Sequence, residues 1–434
     1  MPQTRLEACD LRWTNECTHR YSTARYSTAR YSTASTAQIT RPGAMNAQTA
    51  LKPLTIVIAP DSFKGSLSAA EATAAMAHGA RDASLALGRP DAHLTLCPMA
   101  DGGEGTLAAI AAVWGVEPRT MLTVDALGRS RQARYASSAD GRTGLIEAAE
   151  SNGLPLVADV PPQPQRADSF GVGLLARELL DQHVDEILLC VGGSASTDGG
   201  TGLLAGLGVR FLDSAGVKIA PGGAGLAHLA SIDLTGLHPR ARAVRWRVAV
   251  DVNNPLCGPT GAAAVFGPQK GAQPTDVAQL DAGLAHLAAI VLGETGENMR
   301  DRPGAGAAGG MPATLVPLLH AELVPGSTLV ADAVGLAHRM ASAALVLTGE
   351  GSFDSQSLGG KVVVAVARLA PAGCPVVVIA GRVALSPADT AASGVTAAFS
   401  IAGGPATLDD LQKHAAERVR ETTAHAVALF LRSR

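Results

Sequence analysis

Residues 186–202 read EILLC-VGGSASTDGGTG, a short apolar run that empties into a loop of glycine, serine and aspartate. The run has the length of a strand, and the glycines that follow punctuate it. The same arrangement recurs along the chain. LTIVIA (54–59) leads into PDSFKGSLSA, HLTLCPMA (93–100) into DGGEGT, and AALVLTG (343–349) into EGSFDSQSLGGK. A further junction runs from RWRVAVDV (245–252) through NNPLCGPTGAAAVFGPQKGA. Open α/β sheets hold their ligands at the carboxyl ends of parallel strands. Glycine lets backbone N–H groups approach a ligand closely, and aspartate can hold a metal or take a proton. Junctions of this kind, repeated, point to a highly charged ligand that needs many backbone donors and at least one cation.

Working outward, strand-like and helix-like segments alternate. Ser68 with Glu71 forms a capping box ahead of AAEATAAMAHGARDA. TLAAIAAVWG, SFGVGLLARELLDQ and residues 276–293 read as helices. MLTVDALG, RQARYASS and TGLIEAAE suggest a more antiparallel stretch. Alternation of this kind predicts an α/β fold with a largely parallel sheet. The irregular middle, 122–280, reads as an inserted α/β domain between segments 53–121 and 281–434. Residues 1–44 differ from everything after them. Arg20–Ala34 is RYSTA repeated three times, and no acidic residue occurs from Cys17 to Pro60. That segment lacks the apolar content to pack and is expected to be a disordered leader or a mis-assigned start.

Composition removes several classes. A formal net charge of −3 argues against a nucleic-acid partner. The sequence has no continuous apolar run of membrane-spanning length, so a soluble, cytoplasmic protein is expected. Aromatics are only 3% of the chain, so the core must be Ala, Val and Leu. The six cysteines include no C-x-x-C pair, which excludes a zinc ribbon. Cys257 could be reactive, but no base lies near it in sequence. The G-x-G-x-x-G at Gly304, Gly306 and Gly309 follows polar ENMRDRP rather than a strand. It is read as a flexible loop or hinge, not a dinucleotide fingerprint. No Walker P-loop, H-E-x-x-H or G-x-S-x-G occurs.

The candidate residues follow from the loops. Only six of the 35 basic residues are lysines, and Lys64, Lys270 and Lys361 each adjoin a glycine, where a lysine suits phosphate. Gly192, Gly193 and Ser194 could form a nest of anion donors. Asp198 stands between Thr197 and Gly199, where an exposed carboxylate could accept a proton. Glu350 and Asp354, four apart after a strand, suit a Mg2+ that keeps its waters. Asp101 and Glu104 are placed similarly, and Asp251 and Asn253 end a strand.

Taken together, APDSFKGSLSA, MADGGEGT, GGSASTDGG, DVNNPLCGPTGAA, VFGPQKGA and TGEG with FDSQSLGGKV resemble the bacterial glycerate kinase family, in its order and over roughly 54–430. The family usually reads GGSATNDGG where this chain has GGSASTDGG; the aspartate and glycines are kept. The resemblance implies a Rossmann-like domain built from both chain ends, an inserted second domain, and an active site between them. It also implies phosphoryl transfer from ATP to D-glycerate with Mg2+, the product being 2-phosphoglycerate or 3-phosphoglycerate, and it leans to the former. On this reading Asp198 is the base and Asp251 the second choice. Lys64 neutralises phosphate or carboxylate, and Glu350 and Asp354 hold the metal. Ser62, Asp101, Gly192, Gly193, Ser194, Asn253, Lys270 and Lys361 complete the substrate- and phosphate-binding set. Homodimer formation stays open. Two other classes are weighed: another α/β enzyme such as a dehydrogenase, against which the defective fingerprint speaks, and a non-catalytic regulator, which would have no need of both a base and metal ligands.

Overall fold

The runs 56–58, 187–190 and 345–347 are short and buried throughout, the signature of strands covered by helices on each face. A computed structural model describes residues 54–433, so the expectations for residues 1–44 lie outside the described residues. In chain order the strands are β1 (Thr55–Ile58), β2 (His93–Leu96), β3 (Arg119–Val124), β4 (Ser130–Ser137), β5 (Thr143–Glu147), β6 (Glu186–Cys190) and β7 (Arg210–Leu212). They continue as β8 (Ser231–Asp233), β9 (Arg245–Ala249), β10 (Glu322–Val324), β11 (Leu345–Phe353), β12 (Val376–Val383) and β13 (Ala397–Ser400).

One sheet has the order β13-β12-β11-β1-β2 and is parallel throughout. Counted along its own five strands, that is the doubly wound order 2-1-3-4-5, whose direction of winding reverses between β1 and β11. The other sheet has the order β10-β9-β6-β5-β4-β3. Four of its strands are parallel, and the β3–β4 hairpin adds an antiparallel edge. β7 and β8 form a separate small hairpin. The fold is therefore the expected α/β arrangement.

Side-chain alternation distributes the core. Ile56, Ile58, Leu345 and Leu347 point to one face of the first sheet and meet Met76, Ala80, Val419 and Val427. Those partners lie on the paired helices Ala69–Ala86 and Ala415–Arg432. Ser68 caps the first of these with the expected box, its Oγ accepting from Glu71 N while the Glu71 carboxylate accepts from Ser68 N. Val57, Val346 and Val378 point the other way, into a core that also holds Leu145, Leu188 and Ala249 of the second sheet. Between them lie Leu107 and Ile110 of helix Thr106–Trp114, and Leu329 and Val330 of helix Gly326–Ala333. These two helices are thus shared by both sheets. Ile187, Leu189 and Val248 face the far side of the second sheet, against Leu175, Leu179, Leu284 and Leu287. Each such fully buried aliphatic side chain contributes roughly 1.5–3 kcal/mol relative to exposure.

Two expectations change. The second sheet runs from Arg119 to Val324, because β10 pairs with β9, so the chain returns to the first sheet after Val324 and not at 281. A three-residue strand is too short to carry a readable pattern. Helix Pro274–Thr295 is, by length and composition only, long and apolar enough to cross a membrane, although Asp276, Asp281 and His286 interrupt its apolar run. Its Leu280, Leu284, Leu287 and Val291 are spent on the core of the second sheet. The glycine-rich stretch is no flexible hinge: Gly304, Gly306, Gly309 and Gly310 are buried. A Cβ on Gly309 would stand 2.1 Å from the Ser196 carbonyl oxygen.

Gly326 opens the second shared helix, against the loop that follows β2. A Cβ there would fall 1.9 Å from the Asp101 carbonyl oxygen. Gly326→Ala is expected to cost about 1–3 kcal/mol through forced backbone movement. Gly293→Ala, where the added methyl meets nothing within 4 Å, should leave stability unchanged or raise it. Thermal melts of the two variants beside the parent check the contrast.

Candidate active site

The carboxyl ends of β1, β2, β6, β9 and β11 open onto one cavity of about 1160 Å³. This is where the reversal of winding between β1 and β11 leaves room for a ligand. The cavity wall includes Lys64, Lys270 and Lys361, and six carboxylates: Asp61, Asp101, Glu104, Asp251, Glu350 and Asp354.

The loop from Asp101 to Gly105 is held tightly. Asp101 Oδ1 accepts from Gly103 N at 3.1 Å, and Gly102 has a φ of 86°. A Cβ on Gly102 would stand 2.7 Å from the Ala249 Cβ, and one on Gly192 would stand 2.7 Å from the Gly103 Cα. Glu147, at the end of β5, accepts from Gly105 N at 3.1 Å and Leu107 N at 2.9 Å, satisfying the start of helix Thr106–Trp114. Asp251 Oδ1 does the same for helix Gly326–Ala333, accepting from Gly326 N at 2.7 Å.

The carboxylates in this wall oppose one another. Burial, then the charges of Asp101 and Glu350, push Asp61 up to about 7, despite the Ser62 N–H that Asp61 accepts at 2.6 Å. Glu350 is only 8% exposed; burial raises it, and its Oε1 has no hydrogen-bond partner among the described residues. Asp251 keeps accessible surface, yet the cavity walls strip enough water to raise it to about 6, with Gly326 N opposing. Asp354 goes the other way, lowered by the N–H of Gln356 at 2.9 Å and the Ser352 hydroxyl at 3.0 Å.

Most of the residues expected from sequence meet here: Ser62, Lys64, Asp101, Gly192, Gly193, Ser194, Asp251, Lys270, Glu350, Asp354 and Lys361 all line the cavity. Two do not. Asn253 is exposed and lies outside the lining. Asp198 is fully buried, 0% exposed, and outside the lining too. Its Oδ2 accepts from Ser169 N, Ser169 Oγ and Gly202 N at 2.9, 2.7 and 3.0 Å, and its Oδ1 from Gly200 N at 3.2 Å. Asp198 therefore knots the turn into helix Thr201–Gly206 and has no path to a ligand hydroxyl. Asp61, three residues past the end of β1, is a cavity residue outside the set expected from sequence, although its place in a loop after a strand is the same signal that marks the others. Cys257 is 6% exposed, and burial raises its thiol to about 11, so it is no nucleophile.

A cavity at the strand ends of both sheets, lined by lysines and carboxylates, is the expected place for the ligand of an α/β enzyme. The sequence matches the model of the glycerate kinase family over residues 56–431. It is 42% identical to a glycerate kinase of Haemophilus influenzae over 377 residues, 86% of this chain and 98% of that one. It is 40% identical to the glycerate 2-kinase of Escherichia coli over 375 residues, 86% of this chain and 97% of that one. A protein of Salmonella typhimurium LT2, crystallised under the name glycerate kinase 2, superposes with a TM-score of 0.79. That match has 41% identity and covers 88% of this chain and 99% of the other. The chain belongs to the glycerate kinase family.

Asp198→Asn replaces one acceptor oxygen by a donor facing N–H groups, at about 1–3 kcal/mol for each buried donor left unpaired. The melting temperature should fall clearly, while turnover per folded molecule stays within about tenfold of the parent, since the loss expected for a base is larger. An unchanged melting temperature with turnover lost by orders of magnitude would return Asp198 to the base role.

Proposed function

We propose that the protein transfers the terminal phosphoryl group of ATP to the 2-hydroxyl of D-glycerate, giving 2-phosphoglycerate and ADP. The observation that carries this reading is that the family match spans every loop of the cavity. The glycerate 2-kinase name of the E. coli relative supports the 2-position. A cytoplasmic setting is consistent with four free cysteines among the described residues.

Phosphoryl transfer needs positioning and charge neutralisation more than covalent chemistry. Lys64 is exposed on the loop after β1, and Lys361 precedes helix Val362–Leu369. Both are suited to phosphate oxygens around the winding reversal. Glu350 offers an unpartnered buried oxygen, and Asp61 and Asp101 crowd it with like charge. An all-oxygen set under mutual repulsion fits Mg2+. Among the described residues no group of three or more His, Cys, Asp and Glu is placed to hold a metal alone. Glu350 with Asp61 would therefore hold the ion together with water and phosphate, and Asp354, pinned by Ser352 and Gln356, would act at longer range. When bound, Mg2+ supplies charge neutralisation at the phosphates. Asp251, with Oδ1 committed to Gly326 N, has Oδ2 left to take the proton of the attacking hydroxyl.

A coupled ADP-release assay with D-glycerate, with and without Mg2+, tests the reaction, and phosphorus NMR assigns the product. A folded protein that releases no ADP with D-glycerate removes the proposal. Asp251 must be ionised to accept a proton, so kcat/KM should fall as pH drops through about 6. Asp251→Asn should lower kcat by roughly 10²–10⁴ and abolish that acid limb. An acid limb that survives in the variant would assign the proton to another group.

A further inference from the structure

Lys270 is the most enclosed cation of the cavity wall, at 4% exposed. It ends the short turn Pro268–Lys270, and its ammonium donates to the Ser196 carbonyl oxygen and to Ser194 Oγ. Both partners are neutral. The charge that bears on it is Asp198, which already accepts from four donors. An ammonium has three N–H donors, so one remains after these two. Ser194 Oγ, in accepting from Lys270, keeps its own O–H to donate elsewhere. Lys270 and Ser194 both line the cavity. One N–H and one O–H at a shared wall match the two oxygens of a single carboxylate.

We propose that Lys270 and Ser194 receive the carboxylate of the acceptor, so that D-glycerate lies against the second sheet and the nucleotide phosphates against the first. This rests on the glycerate kinase reading. Strand register supports the orientation. Cys190 of β6 pairs with Ala249 of β9, so the loop carrying Ser194 and the loop carrying Asp251 leave adjacent strand ends. A glycerate bound by its carboxylate at one loop presents its 2-hydroxyl toward the other. The cations left for phosphate, Lys64 and Lys361, leave the first sheet and are more accessible. Burial also lowers Lys270 to about 8, with Asp198 opposing. The protonated form is the one that binds an anion, so affinity for glycerate should decline above about pH 8.

The test uses the full chain and measures KM for each substrate in turn. Lys270→Met is expected to raise KM for D-glycerate by about 30-fold or more while KM for ATP stays within about threefold. Ser194→Ala should raise the glycerate KM several-fold in the same selective way. If Lys270→Met does not fold, titration calorimetry on the parent decides. Affinity for D-glycerate should then fall about tenfold per unit above pH 8, while binding of uncharged glycerol does not change. An active parent whose Lys270→Met variant keeps its glycerate KM, or loses ATP affinity instead, overturns the proposal. So does pH-independent glycerate affinity in the parent. A parent inactive on glycerate is a different result and removes the kinase reading itself.

Discussion

Two carboxylates at the strand ends of the second sheet, Glu147 and Asp251, grip the backbone N–H groups of the two helices that lie between the sheets. The first turn of a helix leaves its N–H groups without intrahelical partners and carries partial positive charge. A carboxylate there answers both deficits at once. Here the carboxylates come from one sheet, and the helices carry side chains into the core of both. The grip therefore orients one set of strand ends toward the other, and the cavity exists because they face. Glycine makes the fit close: Gly102, Gly192 and Gly326 each stand where a Cβ would strike a neighbouring loop or side chain. Burial raises Glu147, with the two N–H groups pulling it back. That opposition shows the grip is bought with desolvation.

The cavity itself is electrostatically frustrated. Six carboxylates share a wall with three lysines, and Asp61, Asp251 and Glu350 are all raised. A wall built only for stability would neutralise these groups or replace them by apolar ones. Perturbed carboxylates gathered in a cleft are what charge-handling chemistry requires. The proposed division follows the two sheets, with the crowded acids of the first suited to a cation and its phosphates, and the enclosed lysine of the second suited to a carboxylate.

The architecture was legible in sequence because buried parallel strands are continuous apolar runs, and these end at glycine. The loops were legible for the same reason, and most of the candidate residues do line one wall. The role of Asp198 was not. An aspartate in a glycine-rich turn reads the same whether it faces a ligand or the backbone of its own turn, and Ser169, which takes two of the bonds to Asp198, lies 29 residues away in sequence. Lys270 has the opposite history: its adjoining glycine suggests a phosphate loop, and long-range packing against Ser194 and Ser196 buries it. The buried glycine stretch 304–310 was misread as mobile because glycine is equally what close packing and flexibility demand.

The two ends of the cavity differ in how much order exists before a ligand arrives. Lys270 is immobilised by two hydrogen bonds, to Ser194 Oγ in the cavity wall and to the Ser196 carbonyl oxygen behind it. Little side-chain freedom is left to lose when an anion binds there, and affinity lost to ordering is correspondingly small. Lys64 is exposed, on a loop whose Gly65 has a φ of 79°, and must give up rotamer freedom to meet a phosphate. A preformed seat for the small substrate beside a looser one for the large is a sensible partition. A three-carbon acid has few contacts with which to offset ordering, whereas a nucleotide has many. The same partition favours discrimination, because a rigid pair of donors spaced for one carboxylate penalises an acceptor that lacks it.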